Sequence, residues 1–368
     1  MPGVEEFPQD GNHASQQHGR KLTDRLARPL RDLRISVTDR CNFRCVYCMP
    51  REVFGRNYAF LPREDLLSFE EIERVARIAV SLGVEKLRLT GGEPLLRREI
   101  EVLIARLAAL RTPAGEPLDI ALTTNGAALP AKAAGLKAAG LSRITVSLDS
   151  LDDAGFQALN DVRFPVHRVL DGIAAARTAG FETVKINTVL KRSANEDQIL
   201  PLAEYFRWSP HTLRFIEYMD VGSSNGWCLD EVIPSAEVVA RINDHYPLEA
   251  VAPTRADQTA RRWRYRDGAG EIGVISSVTG AFCGSCTRVR LSSEGKLFTC
   301  LFASSGFDLR ALLRSGESDE QIAAALAGLW SRRDDRYSQL RSENTANAAA
   351  RKETIHSRRR IEMSYIGG

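Results

Sequence analysis

Long apolar runs are missing from these 368 residues, and so is any strong surplus of one charge. No stretch approaches the roughly 18–20 residues that a spanning helix requires. The first twenty residues (MPGVEEFPQDGNHASQQHGR) lack the hydrophobic segment of a secretory signal and read as a polar tail. Fifty Lys and Arg stand against forty-seven Asp and Glu, a net of +3, so no field draws the chain toward nucleic acid or a membrane surface. No G-x-G-x-x-G follows the first strand-like run, which removes the usual dinucleotide-binding signature. Histidine is scarce, six in all, and none lies near a cysteine in sequence. The cysteines number seven, and an odd count without a signal argues against a disulfide scaffold. What remains is an ordinary composition, 43% hydrophobic and 26% charged, with room for one large core and an appendage or for two domains. A cytoplasmic protein is expected.

Between about residues 30 and 220 short β-branched runs alternate with helical ones. The runs are LRISV around Arg34, KLRLT ending at Thr90, DIALT ending at Thr123, RITVSL ending at Leu148, TVKINTV ending at Val189 and TLRFIEY ending at Tyr218. The clearest helix opens on Ser68 with Glu71 three residues on, a capping box, and stops at Gly83. Others are expected near 97–110, 128–139, 165–179 and 195–207. Six strand–helix repeats predict a parallel sheet. Each strand ends in a small, polar or charged cluster, which favours a (β/α) barrel over a doubly wound sheet. The expectation is therefore a partial (β/α)6 barrel over 26–228, after a tail over 1–25. Residues 229–368 should add a helix near 234–244, charged strands around 261–275, more helix, and an Arg-rich solvated tail from 331.

Cys41, Cys45 and Cys48 form a C-x3-C-x2-C triplet just after the first strand. A structural zinc site wants four N or S ligands, whereas three thiolates suit a four-iron cluster whose fourth iron stays open. Zinc completed by a distant histidine is the competing reading. The triplet resembles the radical S-adenosylmethionine (SAM) superfamily, whose other local mark, a Gly-Gly-Glu-Pro turn after the second strand, stands here as Gly91-Gly92-Glu93-Pro94. Two glycines allow close backbone approach to a ligand, and Glu93 with nearby carbonyls suits a methionine ammonium. The resemblance implies a [4Fe-4S] cluster on the three cysteines and SAM chelated to its open iron. One electron would then split the sulfonium and release a 5′-deoxyadenosyl radical.

A second trio, Cys283, Cys286 and Cys300, lies more than two hundred residues away. A structural zinc, a spare dithiol and a second open-iron cluster are all compatible with it. Arg288 and Arg290 follow on one face of an expected strand, and paired arginines suit a polyphosphate or carboxylate. With the terminal Gly367-Gly368, this combination resembles the GTP 3′,8-cyclase family of molybdenum cofactor biosynthesis over roughly residues 30–368. That resemblance implies two [4Fe-4S] clusters with GTP between them, and abstraction of the ribose 3′ hydrogen followed by bonding of C3′ to C8. It implies GTP contacts at Arg34, Arg88, Thr123, Lys185, Arg288 and Arg290, and SAM contacts at Tyr47, Gly92, Ser147 and Met219. Arg214, Gly367 and Gly368 are implied in catalysis. An electron donor of flavodoxin or ferredoxin type and a downstream cyclic pyranopterin monophosphate synthase would be the partners, with no nucleic acid or membrane. The protein would be a monomer or homodimer.

Some positions depart from the family's pattern. Thr287 stands where many relatives carry Asn or Asp. The loop Arg111–Asp119 is long and is expected to stay clear of the chemistry. Cys228 matches no ligand position and is expected to be a buried free thiol. The rival activities are another radical SAM enzyme with an auxiliary cluster, such as a peptide-modifying one, and an iron–sulfur electron carrier.

Overall fold

Ser68 and Glu71 close the expected capping box. The Ser68 hydroxyl accepts from the Glu71 N–H at 3.1 Å, and the Glu71 carboxylate accepts from the Ser68 N–H at 2.8 Å. The helix they start leads the first of the strand–helix units in this computed structural model, which describes residues 22–341 and 360–367. The units run β1 (Asp32–Ser36), α1 (Phe69–Ser81), β2 (Lys86–Thr90), α2 (Ile100–Ala109), β3 (Asp119–Thr124), α3 (Leu129–Ala138), β4 (Arg143–Ser147), α4 (Asp153–Asn160), α5 (His167–Thr178), β5 (Lys185–Leu190), α6 (Arg192–Asn195), α7 (Ile199–Phe206) and β6 (Thr212–Glu217). All six expected strands are present, each end within two residues of its expected place. Helix α4 is the addition: Asp152 caps it by accepting from the Gly155 N–H at 2.7 Å, but eight residues with a glycine inside carry little periodic signal.

The remaining elements are α8 (Ser235–His245), β7 (Leu248–Val251), β8 (Arg261–Tyr265), β9 (Glu271–Ile275), β10 (Arg288–Leu291), β11 (Lys296–Phe298), β12 (Phe307–Asp308), α9 (Leu309–Arg314), α10 (Asp319–Ser331) and a short helix Met363–Ile366. The sheet order is β12-β11-β10-β1-β2-β3-β4-β5-β6-β9-β8-β7. Strands β10, β1 to β6 and β9 are mutually parallel, and antiparallel strands finish both edges. The later part of the chain thus adds three strands to each rim of the six-unit sheet, the inner one parallel.

Period two along the strands separates two environments. Leu33, Ile35, Leu87, Leu89, Ile144 and Val146 are buried in the layer under the helices. Their alternate neighbours Asp32, Arg34, Lys86, Arg88 and Arg143 line a cavity instead. Because residues from β10, β1 to β6 and β9 share that cavity, the sheet is curled into an incomplete barrel with a polar lumen. The 276–287 connection joins β9 to β10 and so crosses the open side. Glu217, at the end of β6, pins it: the buried carboxylate accepts from Val278 N at 2.7 Å, Thr279 N at 2.8 Å, Thr279 Oγ1 at 2.5 Å and Ser235 N at 2.8 Å.

Two expectations are corrected. Cys228 is exposed; its neighbour Trp227 takes the inward place, donating from Nε1 to the Tyr218 carbonyl at 2.8 Å. The Arg-rich stretch expected as a solvated tail is anchored at several arginines where it is described, with residues 342–359 lying outside the described residues. Arg333 and Arg341 are buried, Arg360 donates to Asp220 Oδ2 at 2.9 Å, and the Ile361 N–H reaches the Ala303 carbonyl at 3.1 Å. Buried carboxylates and carbonyls draw these arginines in.

Candidate active site

Cys41, Cys45 and Cys48 follow the C-terminal end of β1, and Cys283 and Cys286 precede the start of β10. Since Asp32 pairs with Arg288 in parallel register, the second trio sits beside the beginning of β1. A five-residue strand is about 16 Å long, so the trios stand at opposite ends of one barrel. Both line the same cavity of about 870 Å³.

At the first trio the Gly-Gly-Glu-Pro turn is sewn to the cysteine loop. Gly92 N donates to Thr38 O and Glu93 N to Arg40 O, each at 2.8 Å. A Cβ on Gly92 would lie 2.2 Å from the Arg40 carbonyl oxygen, so this glycine admits its own protein's backbone. Glu93 is buried, and its carboxylate accepts from Thr124 Oγ1 at 2.7 Å, Asn125 N at 2.7 Å and Leu95 N at 3.0 Å. Burial still raises it to about 7. Tyr47 donates to Asp149 Oδ2 at 2.6 Å and Val189 N donates to Oδ1 at 2.9 Å; burial raises that carboxyl to about 6. Gly92, Ser147 and Met219 line the same end. Asp149 and Asn187 were not singled out in the sequence, although Asp149 sits in the polar cluster that ends β4. Asn187 lines the cavity with its Oδ1 buried and unpartnered among the described residues.

Along the lumen, register sets Arg290, Arg34 and Arg88 side by side on β10, β1 and β2. Arg88 Nη1 donates to Thr123 Oγ1 at 3.0 Å. Lys185 and Arg214 line the facing strands β5 and β6, and the Arg214 Nε is buried without a partner among the described residues. Carboxylates of the lining pair with other cations, Asp119 with Arg143 and Glu271 with Arg262, and Asp32 lies 3.6 Å from Lys86 and accepts from Thr287 Oγ1 at 2.8 Å. Arg34, Arg88, Lys185, Arg214 and Arg290 have no carboxylate at ion-pair distance among the described residues. Burial first, and then neighbouring cations, lower Lys185 to about 7, Arg88 to about 9 and Arg214 to about 10; Arg34 and Arg290 are lowered too. Burial of charge without a partner is costly, so a bound anion would favour the charged form of each of these groups. Lys86, also in the lumen and lowered to about 8 chiefly by burial, was missed because a strand-edge lysine is normally a surface residue.

Near the second trio Arg288 does something unexpected. Its Nε and Nη2 both lie 3.3 Å from Cys286 Sγ. Burial raises the Cys286 thiol, but Arg288 and Arg333 outweigh it and bring it to about 6. The first trio shows the opposite balance, with Cys41 raised to about 11 by burial and then by Glu93. Thr287, where the family pattern has Asn or Asp, still uses its hydroxyl as a donor to Asp32. The 111–119 loop does reach the site, since Pro117 and Asp119 line the lower mouth. Gly367 is buried, with φ +73°, and its carbonyl accepts from Arg290 Nη1. Gly368 lies outside the described residues.

Both trios fit an iron–sulfur cluster by their donor sets. Each presents three thiols, none of them in a disulfide, to a shared cavity. Among the described residues no three His, Cys, Asp or Glu side chains close on one point for a single metal ion, so the fit rests on those donors alone. No helix of the described residues is long and apolar enough to cross a membrane.

Comparison with known proteins adds the following. Residues 35–206 match the radical SAM superfamily model and residues 211–339 match Molybdenum Cofactor Synthesis C. The GTP 3′,8-cyclase of Acidothermus cellulolyticus is 51% identical over 362 residues, covering 94% of this chain and 99% of its own. That of Staphylococcus carnosus is 46% identical over 350 residues, covering 95% and 99%. Among solved structures, Streptococcus suis SuiB bound to S-adenosylmethionine shares the fold at a TM-score of 0.56 and 17% identity, over 85% of this chain and 68% of that one.

Proposed function

Since the chain belongs to the GTP 3′,8-cyclase family of radical SAM enzymes, we propose that its lumen holds GTP between two four-iron clusters. The reaction is cyclisation of GTP to (8S)-3′,8-cyclo-7,8-dihydroguanosine 5′-triphosphate, the first step of molybdenum cofactor biosynthesis. The product is an isomer of GTP: the hydrogen lost from C3′ is replaced by an electron and a proton at the purine. One observation carries the reading, namely two thiol trios at opposite ends of a lumen in which Arg34, Arg88, Lys185, Arg214 and Arg290 have no carboxylate at ion-pair distance among the described residues.

In this reading Cys41, Cys45 and Cys48 hold the first cluster, and Cys283, Cys286 and Cys300 the second. Bound together, the first cluster and SAM supply a carbon-centred radical able to take one hydrogen from a sugar. Tyr47, Gly92, Ser147 and Met219 hold SAM, with Tyr47 fixed by its bond to Asp149. Arg34, Arg88, Lys185 and Arg290 offset the triphosphate, and Thr123 orients Arg88. Arg288 has a narrower task than expected, because its fork is turned to Cys286 rather than left free for phosphate. Arg214, with its unpartnered Nε, faces the substrate and serves in catalysis. Gly367 brings backbone to the substrate through Arg290, and Gly368 serves in catalysis with it. A flavodoxin- or ferredoxin-type donor supplies electrons, and cyclic pyranopterin monophosphate synthase consumes the product.

The test is anaerobic reconstitution followed by incubation with SAM, dithionite and each of the four nucleoside triphosphates. GTP alone should give 5′-deoxyadenosine together with a product of unchanged mass and altered chromatography. Release of 5′-deoxyadenosine that is indifferent to GTP would overturn the substrate. Peptide modification finds no support in the lumen, because a row of buried cations suits a polyanion.

A further inference from the structure

Behind the second trio, two segments far apart in sequence meet at one buried carboxylate. Asp24 Oδ1 accepts from the N–H groups of Leu26 and Arg28, both at 2.9 Å. Its Oδ2 accepts from Arg28 Nε at 2.6 Å and from Arg333 Nη1 at 3.0 Å. That uses the carboxylate fully and fixes both guanidinium planes. Both guanidinium groups also donate to the backbone of the cysteine loops, Arg28 Nη1 sharing itself with the Asp335 carbonyl at 2.8 Å and Arg28 Nη2 staying buried without a partner among the described residues. Arg28 Nη1 donates to the Cys283 carbonyl at 2.8 Å. Arg333 Nη1 donates to the Cys286 carbonyl at 2.8 Å, and its Nε to the carbonyl of Thr299, just before Cys300, at 3.0 Å.

Every cysteine of the trio is therefore held through its own carbonyl or that of its predecessor. The side chains of Asp24, Arg28 and Arg333 are at most 1% exposed. Trp330 completes the back wall: its ring lies 4.6 Å from the Arg333 guanidinium carbon, and its Nε1 donates to the Arg28 carbonyl at 3.1 Å. A buried ion pair of this kind is weak evidence for stability, because apolar residues of similar volume often serve as well. Its geometry shows a more specific use, since the donors end on the three ligand loops.

We propose that Asp24, Arg28 and Arg333 are positioning residues for the second cluster, a clamp that sets the backbone of all three of its ligands. This rests on the reading of Cys283, Cys286 and Cys300 as cluster ligands. Groups that orient metal ligands in this way typically change metal retention by about 10- to 100-fold when removed.

The test uses full-length reconstituted protein and the variants Arg333→Lys and Arg28→Lys, which keep a charge for Asp24 but lose the fork. Wild type should carry about eight irons per chain, and Cys286→Ala marks the release phase of the first cluster alone. In the lysine variants, iron of the second phase should pass to a chelator about 10- to 100-fold faster, while first-phase release and uncoupled SAM cleavage stay at wild-type values. Unchanged second-phase release would overturn the clamp. So would collapse of both lysine variants, since the residues would then serve the whole fold. A wild-type content of about four irons would instead remove the second cluster, and this proposal with it.

Discussion

Substituting alanine at Gly367 tests the seated C-terminal segment through two separable costs. Gly367 has φ +73° and ψ 116°, a region that costs a residue with a Cβ about 1–3 kcal/mol. The added Cβ would also lie 2.2 Å from the Thr90 Cγ2 methyl, an overlap worth a further 1–3 kcal/mol or so. Together these oppose seating by about 2–6 kcal/mol, and 1.4 kcal/mol is about tenfold, so the seated population falls roughly 30-fold or more. Cyclised product should fall with it, while iron content and uncoupled SAM cleavage stay near wild type. Thr90→Ser removes the offending methyl and leaves the backbone cost. In that background Gly367→Ala should recover roughly fivefold or more of the lost product formation. The assay is a double-mutant cycle on the rate of cyclised GTP formation. Gly367→Ala at the wild-type rate, or a loss that Thr90→Ser does not relieve, would refute the reasoning.

Other expectations can be checked alongside. Cys45→Ala should abolish SAM cleavage, whereas Cys286→Ala should keep part of the uncoupled cleavage and lose cyclised product, both read as 5′-deoxyadenosine against product. Arg290→Ala should weaken GTP by about 1.5–3 kcal/mol and guanosine by less, measured as separate affinities; equal losses would show that Arg290 does not read phosphate. Arg288→Ala, by contrast, should also loosen second-cluster iron, because its fork lies on Cys286 Sγ. Burial holds Glu93 near 7 against a usual 4.5, so the folded protein binds its proton more tightly than the unfolded chain. In SAM-free protein its contribution is full below about 4.5 and is lost as pH rises through about 7. Denaturant melts at pH 5 and 7.5 should show Glu93→Gln with a flatter pH dependence than wild type.

Local chemistry in the sequence located most of the elements. Strand β2 spans the expected Lys86–Thr90, and Ser68 and Glu71 mark the start of α1. Both depend on interactions within a few residues, which one stretch of sequence fully contains. Pairing of β10 with β1 joins residues |i−j| = 256 apart, Asp32 to Arg288, and no periodicity announces a partner at that distance. The same limit applies to the site. The cysteine trios were legible because their spacing is itself the signal. Arg288, an expected GTP contact, also lies against the Cys286 sulfur, a neighbour that charge type alone does not reveal. Asp24 sat in an expected polar tail, and its burial depends on Arg28 and Arg333 arriving from both ends of the chain.

The connection that crosses the open side of the barrel also has a consequence for how the protein is made. Until β9 and β10 exist, β1 and β6 are both unpaired edges of a parallel sheet, and such edges recruit other chains. Synthesis proceeds at about 5–20 residues per second, so β1 waits on the order of tens of seconds for its neighbour. A ribosome stalled after β6 would leave a half-barrel open along two sides. Expression of the first part alone should therefore yield aggregate rather than a smaller working unit.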